Sequence, residues 1–229
     1  MVSTVRAFPR RTDGSIVDAP DRALAVDRMT GDLYFPVRCG RAVARLTSGG
    51  ALTAVAGSLG SGSCNRYGLF VAVDSARRLL YLSDISLVGG VTLQQFSLQS
   101  STPLFLRDFA GGGAVAADGK PGSLGDISGQ IGVDETTGSL YVSDRKANAI
   151  RRITLDGTIS TVVGQLGWNG TELGDLPARI NGPTGVAMNP QGQLAIVMGF
   201  ARPTGSFTND PLFRFQGNGA LLVTQGFQR

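Results

Sequence analysis

The sequence predicts an all-β protein, a β-propeller of four-stranded antiparallel blades, and two observations support this prediction. The first is an internal repeat, in which a short apolar run ending in Asp or Asn recurs at spacings of 47, 60 and 55 residues. The four copies lie at residues 25–27, 72–74, 132–134 and 187–189. The second is that no stretch keeps a 3.6-residue apolar period, so we expect no long helix.

Each copy is the innermost strand of a unit that contains three further strands. A polar turn and an apolar second strand follow it, at residues 33–35, 80–82, 140–142 and 194–196. Third strands are predicted at 42–46, 93–98, 149–154 and 212–216, and fourth strands at 52–56, 104–109, 159–163 and 220–224. Turns such as Thr30-Gly31 and Asp156-Gly157 contain residues that hairpins prefer. The units predict one domain over residues 1–229, with blades at about 21–57, 68–109, 129–164 and 184–225.

The third unit has the most distinctive sequence pattern. It reads Gly-Val-Asp at 132–134, Gly-Ser-Leu-Tyr-Val-Ser-Asp at 138–144, Asn-Ala-Ile-Arg at 148–151 and Pro-Thr-Gly-Val-Ala at 183–187. This pattern resembles the NHL repeat; the resemblance covers residues 21–225 and is strongest at 128–188. It implies a propeller that usually has six blades, two more than the units found in this chain. Val37 and Met198 stand where the third unit has Asp144, so the resemblance implies a structural frame and no family-wide site.

Residues 2–7 form one more predicted strand, for which the sequence offers no partner. Val2-Ser3-Thr4-Val5 matches the Ile-Ser-Thr-Val of residues 159–162, an outer strand of the third unit. The outer position of the last blade is assigned to residues 220–224, so the strand at 2–7 is an orphan. We expect an open arc of four blades, part of a six-bladed propeller in a longer protein, that can self-associate through exposed edges. The alternative is a closed four-bladed ring, or a ring completed by oligomerisation.

The composition excludes several kinds of catalytic and metal site. The chain has no His and two Cys, which rules out His-bound zinc, Ser-His-Asp triads and four-thiolate sites within it. No ring of carboxylates marks the starts of the inner strands, where a divalent ion on the axis would need several oxygen ligands. We therefore predict no enzyme activity, no catalytic residue, no metal and no cofactor. The alternative is a fragment of a propeller hydrolase or lyase whose active centre lies in missing blades.

Several polar residues of the repeat are interpreted as turn formers. Short polar side chains at strand ends bond nearby backbone N–H groups and tolerate the left-handed backbone conformation. This interpretation covers Asp144 and Asn148, which flank a strand loop of the third unit, and the four residues that end the inner strands. Those four are Asp27, Asp74, Asp134 and Asn189.

The face that carries the blade-to-blade loops is predicted to be the binding surface. Blade topology places the long loops at about 57–68, 110–129 and 164–185 on this face, together with the loops between second and third strands. Long loops on a rigid scaffold are where binding usually occurs. The single Trp of the chain lies in one of these loops, and Trp is favoured at interfaces. The candidate binding residues are Arg38, Arg41, Arg66, Lys120, Arg145, Lys146, Trp168 and Arg179.

The distribution of charge favours a protein partner over nucleic acid. The formal net charge is +4, but ten basic and ten acidic residues fall on the predicted long-loop face. Such a balance leaves no net field there to attract phosphates. We predict a non-enzymatic scaffold that binds a protein; an RNA-binding NHL propeller is the second alternative. No run of 18 apolar residues occurs, which predicts no membrane-spanning helix.

Cys39 and Cys64 are a candidate disulfide. Cys39 falls in the loop between the second and third strands of the first blade, and Cys64 in the loop that leaves this blade. Both loops belong to the same face, and a bond requires Cα atoms about 4.4–6.8 Å apart. The sequence leaves the compartment unknown, because a bonded pair predicts an extracellular protein and free thiols predict a cytoplasmic one.

Overall fold

Short strands form where apolar runs are separated by turns rich in Gly, Asp and Asn. The computed structural model describes residues 23–37, 43–56, 70–86, 90–113, 115–189, 191–199 and 220–224. Within these ranges there are fifteen strands and no helix that could cross a membrane. In chain order the strands are β1 Ala25–Val26, β2 Leu33–Pro36, β3 Val43–Leu46, β4 Leu52–Ala56, β5 Val71–Asp74, β6 Leu79–Ser86, β7 Gly90–Ser97, β8 Leu104–Gly111, β9 Gly132–Asp134, β10 Ser139–Asp144, β11 Ala149–Ile153, β12 Ile159–Gly164, β13 Pro183–Met188, β14 Leu194–Met198 and β15 Ala220–Val223.

The strands pair in chain order into four antiparallel sheets, called blades 1 to 4 below. Blade 1 contains β1–β4, blade 2 contains β5–β8, blade 3 contains β9–β12 and blade 4 contains β13–β15. Each strand lies beside the next one along the chain because hairpin turns connect them. The predicted all-β propeller architecture with four blades is confirmed.

A large residue beside a small one fills the space between successive blades. Tyr34, Tyr81 and Tyr141 on the second strands are each at most 1% exposed. Each lies directly opposite a small inner-strand residue, respectively Ala25, Ala72 and Gly132. Because paired residues lie side by side on one face, the small residue leaves room for the ring.

The blades follow one another through contacts between their inner strands. β1 contacts β5, β5 contacts β9 and β9 contacts β13. Among the described strands, no interface of this size joins β13 back to β1. Blades 1 and 4 are therefore the two ends of the series in the part of the chain that the structure describes.

One strand of the last blade lies in a different place from its prediction. The sequence assigns residues 220–224 to the outer, fourth position, but β15 pairs directly with β14, with Leu222 opposite Ile196. β15 therefore takes the third position, and the assignment to the outer position is wrong. Strand composition predicts that a segment is extended but does not specify which edge it joins. The strands predicted at 2–7 and 212–216 lie outside the described residues.

The inner turns close their own hairpins and also join neighbouring blades. The residues that end the inner strands accept hydrogen bonds from N–H groups two to four residues ahead, those of Met29, Arg77, Thr136 and Gln193, which confirms them as turn formers. Across the blades, Arg78 forms an ion pair with Asp27, and Arg77 donates to the main-chain oxygen of Glu135 at 2.8 Å. Burial opposes the charge of Asp27, but hydrogen bonds from Arg78 and neighbouring groups outweigh it and lower its pKa.

Candidate binding surface on blade 3

The long loop after β12, residues 165–182, is fastened to blade 3 by backbone hydrogen bonds. The N–H of Gly164 donates to the carbonyl of Pro177 at 2.7 Å. Farther out, Glu172 and Arg179 exchange backbone hydrogen bonds of 3.0 and 2.8 Å. The loop therefore has internal pairing of its own, which fixes the path that carries Trp168.

Asn148 connects this loop to the turn between β10 and β11. Its backbone has φ 55°, the left-handed conformation that Asn tolerates, which confirms it as a turn former. Its side-chain Nδ2 donates to the carbonyl of Trp168 at 2.8 Å and to Oδ1 of Asn169 at 2.9 Å. Its Oδ1 accepts the N–H of Gly182 at 2.8 Å. One side chain, 7% exposed, thus holds both ends of the loop.

Trp168 presents a half-exposed ring beside the guanidinium of Arg179. The ring is 42% exposed, and the guanidinium carbon of Arg179 lies 4.1 Å from the ring centroid. Arg179 is itself oriented by Gln165, whose Oε1 accepts its Nε–H at 3.0 Å, and by an ion pair with Glu172. A cation over an exposed indole contributes about 0.5–1 kcal/mol. The ring is therefore held in one orientation while part of it stays open to solvent.

Arg145 and Lys146 extend the same surface from the β10–β11 turn, where both are exposed. Asp144 fixes this turn by accepting the N–H groups of Ala147 at 3.2 Å, Gly125 at 2.8 Å and Asp126 at 3.0 Å. The turn-former interpretation of Asp144 is thus confirmed, and its carboxylate also holds the segment that precedes blade 3.

A buried arginine completes the support of this turn. Arg151 is fully buried, and its guanidinium contacts Asp144 at 3.3 Å and Asp118 at 2.6 Å. It also donates to the carbonyl of Ala117 at 2.9 Å. Arg151 was not singled out for this role from the sequence. The sequence feature that could have indicated it is an Asp and an Arg seven residues apart on two strands predicted to be adjacent, because the pairing of β10 with β11 brings both into one sheet.

Asp126 lies beside this network, and the neighbouring charges affect its pKa. Burial and the neighbouring carboxylate of Asp144 raise the pKa of Asp126, while Arg145 and Lys146 act in the opposite direction. The two exposed cations of the turn therefore adjoin a half-buried carboxylate, which limits how positive this part of the surface becomes.

Lys120 lies at the other end of blade 3, and its predicted place on the long-loop face is wrong. Its Nζ is 3.2 Å from Oδ2 of Asp156, in the turn between β11 and β12. That turn and the β10–β11 turn are separated by the five residues of β11, about 16 Å of extended chain. The loop reaches this end because Gly119 exchanges backbone hydrogen bonds with Ile159 at the start of β12. Such a path inside a long loop leaves no signal in the strand pattern.

Arg38, Arg41 and Arg66 lie outside the described residues, and so do Cys39 and Cys64. Of the sequence candidates, Trp168 and Arg179 are in contact, and Arg145 and Lys146 lie on the neighbouring β10–β11 turn; their role in binding stays a prediction. Asn148, Gln165 and Glu172 belong to the same surface and were missed as site residues, because their contacts cross between loops distant in sequence.

Near the inner strands, a single amide joins three blades. Nε2 of Gln130, just before β9, donates to the carbonyl of Leu24 at 3.1 Å and to that of Val71 at 3.0 Å. These acceptors belong to blades 1 and 2, so the contact is structural. Among the described residues, no three side chains of His, Cys, Asp or Glu converge in a way that could hold a metal ion.

Comparison with known proteins identifies the fold. No family model matches the chain, and no curated protein is similar to it. A protein of unknown function from Bacteroides thetaiotaomicron is 24% identical, with a TM-score of 0.61 over 76% of this chain and 43% of that protein. An auxiliary nutrient binding protein from the same species is 17% identical, with a TM-score of 0.56 over 76% of this chain and 44% of that protein.

A gluconolactonase from Xanthomonas campestris is also similar in structure. It is 18% identical, with a TM-score of 0.53 over 82% of this chain and 57% of that protein. These structures are β-propellers, and the likeness shows the fold alone. The chain spans about half the length of the solved structures it matches. The assignment to the NHL repeat and the assignment to a six-bladed propeller both stay predictions.

Proposed function

We propose that this chain is a β-propeller module that binds a protein partner through the loop surface of blade 3. The supporting observation is Trp168, a half-exposed ring whose backbone and side chain are both held by fixed contacts. A ring that is already ordered loses little conformational entropy on binding, and Trp is enriched among residues that dominate interfaces. Arg145 and Lys146 are exposed on the β10–β11 turn, to which Asn148 fastens the Trp168 loop, so the proposed partner presents an acidic segment with an apolar side chain.

Binding is favoured over catalysis by the way this surface uses its polar groups. The amide of Asn148 and the guanidinium of Arg179 bond to neighbouring loop atoms. Such groups position the Trp168 ring and the β10–β11 turn. A general acid or base must instead reach a proton on a substrate, so these contacts fit a preformed docking surface better.

A protein partner is also favoured over RNA. Arg179 is paired with Glu172, and Asp126 lies near Arg145 and Lys146. Carboxylates among the cations repel a phosphate backbone, whose binding depends on neutralising successive phosphates. A short acidic peptide segment needs only one or two cations beside the ring.

The sole tryptophan supplies a direct test, because its fluorescence reports on the proposed site. The probes are a labelled poly-glutamate peptide with one central Phe and a labelled poly(U) RNA, each titrated by anisotropy. We expect the peptide to bind and to change the Trp168 emission. Trp168→Ala and Lys146→Glu should each weaken peptide binding at least about tenfold, a loss of about 1.4 kcal/mol.

The matched control is Leu155→Ala, which changes an exposed side chain in the β11–β12 turn at the other end of blade 3. Its affinity for the peptide should equal that of the wild type. Equal losses in all three variants would contradict the proposed surface. Tight poly(U) binding that falls steeply with salt would favour the RNA alternative instead.

The enzyme alternative rests on fold likeness, since a gluconolactonase is among the similar structures. Fold alone does not carry an activity from one propeller to another. Hydrolysis of a sugar lactone by the purified chain, retained in Trp168→Ala, would favour a propeller hydrolase. Activity that depends on a longer form of the protein would point to a centre in further blades.

A further inference from the structure

The loop that carries Trp168 contains two Asn-Gly pairs. Asn169-Gly170 lies directly after the ring-bearing residue, and Asn181-Gly182 lies at the end of the loop. An Asn followed by Gly can react with its own backbone, because Gly has no Cβ to keep the next main-chain nitrogen away from the side-chain carbonyl carbon. The two pairs share this local sequence, so a difference between them must come from the fold.

Asn148 contacts both pairs, but it binds opposite partners of the reaction. Its Nδ2 donates to Oδ1 of Asn169 at 2.9 Å, and Oδ1 belongs to the carbonyl that would be attacked. Its own Oδ1 accepts the N–H of Gly182 at 2.8 Å, and that nitrogen is the attacking group of the second pair. One amide therefore polarises the electrophile of the first pair and occupies the nucleophile of the second.

The first pair keeps its reacting groups available. Asn169 is exposed, and among the described residues neither the N–H of Gly170 nor Nδ2 of Asn169 donates to any group. The donor from Asn148 lies at the oxygen on which negative charge develops when a nitrogen adds to the carbonyl, and such a donor stabilises that charge. In the second pair, Asn181 is half-buried, and Gly182 must first give up its hydrogen bond.

We propose that Asn169 is a site of spontaneous deamidation and that Asn181 is protected from it. The nitrogen of Gly170 loses its proton and bonds to the side-chain carbonyl carbon of Asn169, and the bond from that carbon to Nδ2 breaks, which releases ammonia. Water then opens the cyclic imide at one of its two carbonyls. Opening at the side-chain carbonyl gives aspartate, and opening at the main-chain carbonyl gives isoaspartate. The sum is one water consumed and one ammonia released, with no oxidant or cofactor.

The product changes the surface around Trp168. Either product adds a negative charge to the residue next to the ring. Isoaspartate also adds one carbon atom to the backbone of the loop, which Asn148 fastens through the carbonyl of Trp168. Deamidation therefore weakens the attraction of this surface for an acidic segment. That consequence rests on the proposed function, whereas the reaction itself does not.

Peptide mapping by mass spectrometry tests the reaction on the full chain, kept folded at neutral pH in heavy-oxygen water, which labels each newly formed acid. The same chain in urea is the reference, because both pairs are then released from Asn148 and should react at similar rates. In the folded protein Asn169 should react at least about tenfold faster than Asn181, since attack by Gly182 first breaks a hydrogen bond.

Two variants test the part played by Asn148. Asn148→Gly removes both side-chain contacts but tolerates the left-handed backbone of the turn, so the ratio of the two rates should fall toward its value in urea. Gln165→Ala is the matched control, because Gln165 bonds to Arg179 and to neither pair, and it should keep the ratio of the wild type.

Three results would overturn the inference. One is an intact Asn169 in the folded protein after the chain in urea has reacted. Another is the same ratio of rates in the folded chain and in urea, which would show that local sequence alone sets the reaction. The third is an unchanged ratio in Asn148→Gly, which would remove the contacts of that amide as the cause.

The effect on binding is measured separately with the labelled poly-glutamate peptide. Asn169→Asp should weaken binding by about threefold, the size expected of one exposed charge, and Asn169→Ser should leave it unchanged. Equal affinities of these two variants would overturn the consequence for binding. A wild-type protein that binds no peptide would instead contradict the proposed function, and the deamidation rates would still decide the modification site.

Discussion

Blades 3 and 4 are neighbours built from the same repeat, yet they differ in how much of their apolar surface is buried. Every residue of β10 in blade 3 is buried, whereas β14 of blade 4 leaves Val197 47% exposed. Leu221 and Val223 of β15 are 60% and 55% exposed. Pairing places Val197 opposite Leu221, on the same face as Val223. Blade 4 thus has one apolar face in the core and one in solvent.

A difference at one position of the second strand explains part of this contrast. In blade 3, Tyr141 of β10 lies opposite Gly132 and fills the space toward blade 4. In blade 4, the equivalent residue of β14 is Ala195, which lies opposite Ala187. The face that receives the next blade in blades 1 to 3 is therefore small and open in blade 4. A repeat specifies the sheet, whereas its neighbours and loops determine whether both faces are buried.

Blade 3 also has a polar clamp that blade 4 lacks at the equivalent position. Asp144 and Arg151 bind the preceding loop, while Met198 stands at the matching place in β14 and is buried. We expect Asp144→Ala to lower the free energy of unfolding by about 3–5 kcal/mol. The fully buried Arg151 would keep only its ion pair with Asp118, and three backbone N–H groups would lose their acceptor. Urea unfolding followed by Trp168 fluorescence measures this.

The matched control for this change is Met198→Leu, a swap that keeps volume and should cost less than about 1.5 kcal/mol. Equal losses for the two variants would show that the clamp contributes no more than ordinary packing. Partial recovery of stability on adding Arg151→Met to Asp144→Ala would identify the lost charge pairing of Arg151 as one cause of the destabilisation.

The second prediction compares burial directly. Ile150 of blade 3 is completely buried, and its replacement by Ala should cost about 2–5 kcal/mol through lost packing and a cavity. Leu221→Ala on the open face of blade 4 should stay within about 0.5 kcal/mol when both proteins are compared at a concentration at which they are monomeric. Thermal unfolding of both variants measures the contrast. A cost above 2 kcal/mol at Leu221 would mean that its side chain is covered in solution.

The sequence was sufficient to predict the strand order of three blades, and the reasons are local. Strand runs, Gly-containing turns and the Asp residues that end inner strands each act within a few residues, as Asp134 does in bonding Thr136. The place of β15 and the path of Lys120 depend on contacts between segments far apart in sequence. Candidate residues Trp168 and Arg179 could be chosen for their type and loop, but their stacking required the geometry of the folded loop.

The third prediction is that the open face of blade 4 promotes self-association, because an exposed apolar face of this kind favours burial against another. The double variant Val197→Lys/Val223→Lys should weaken association at least about tenfold, or by about 1.4 kcal/mol. Sedimentation velocity over a range of protein concentrations measures it. Leu155→Lys, which places the same charge on an exposed turn of blade 3, is the control. Association that is unchanged in the double variant would place the contact elsewhere.

The smallest expected effect concerns a carboxylate that blade 3 holds near Asp144. Burial and the charge of Asp144 raise the pKa of Asp126. When folding raises the pKa of a carboxyl group, its ionised form destabilises the folded protein at any pH above that raised pKa. This destabilisation disappears as the pH falls through the raised pKa toward the ordinary one, because the group becomes protonated. Asp126→Asn should therefore stabilise the protein at pH 7 by about 0.5 kcal/mol. This gain should shrink as the pH falls toward the ordinary pKa of Asp, because wild-type Asp126 then becomes neutral too. Chemical unfolding of both proteins at several pH values measures the difference, and a gain that grows toward acid pH would contradict the assigned direction.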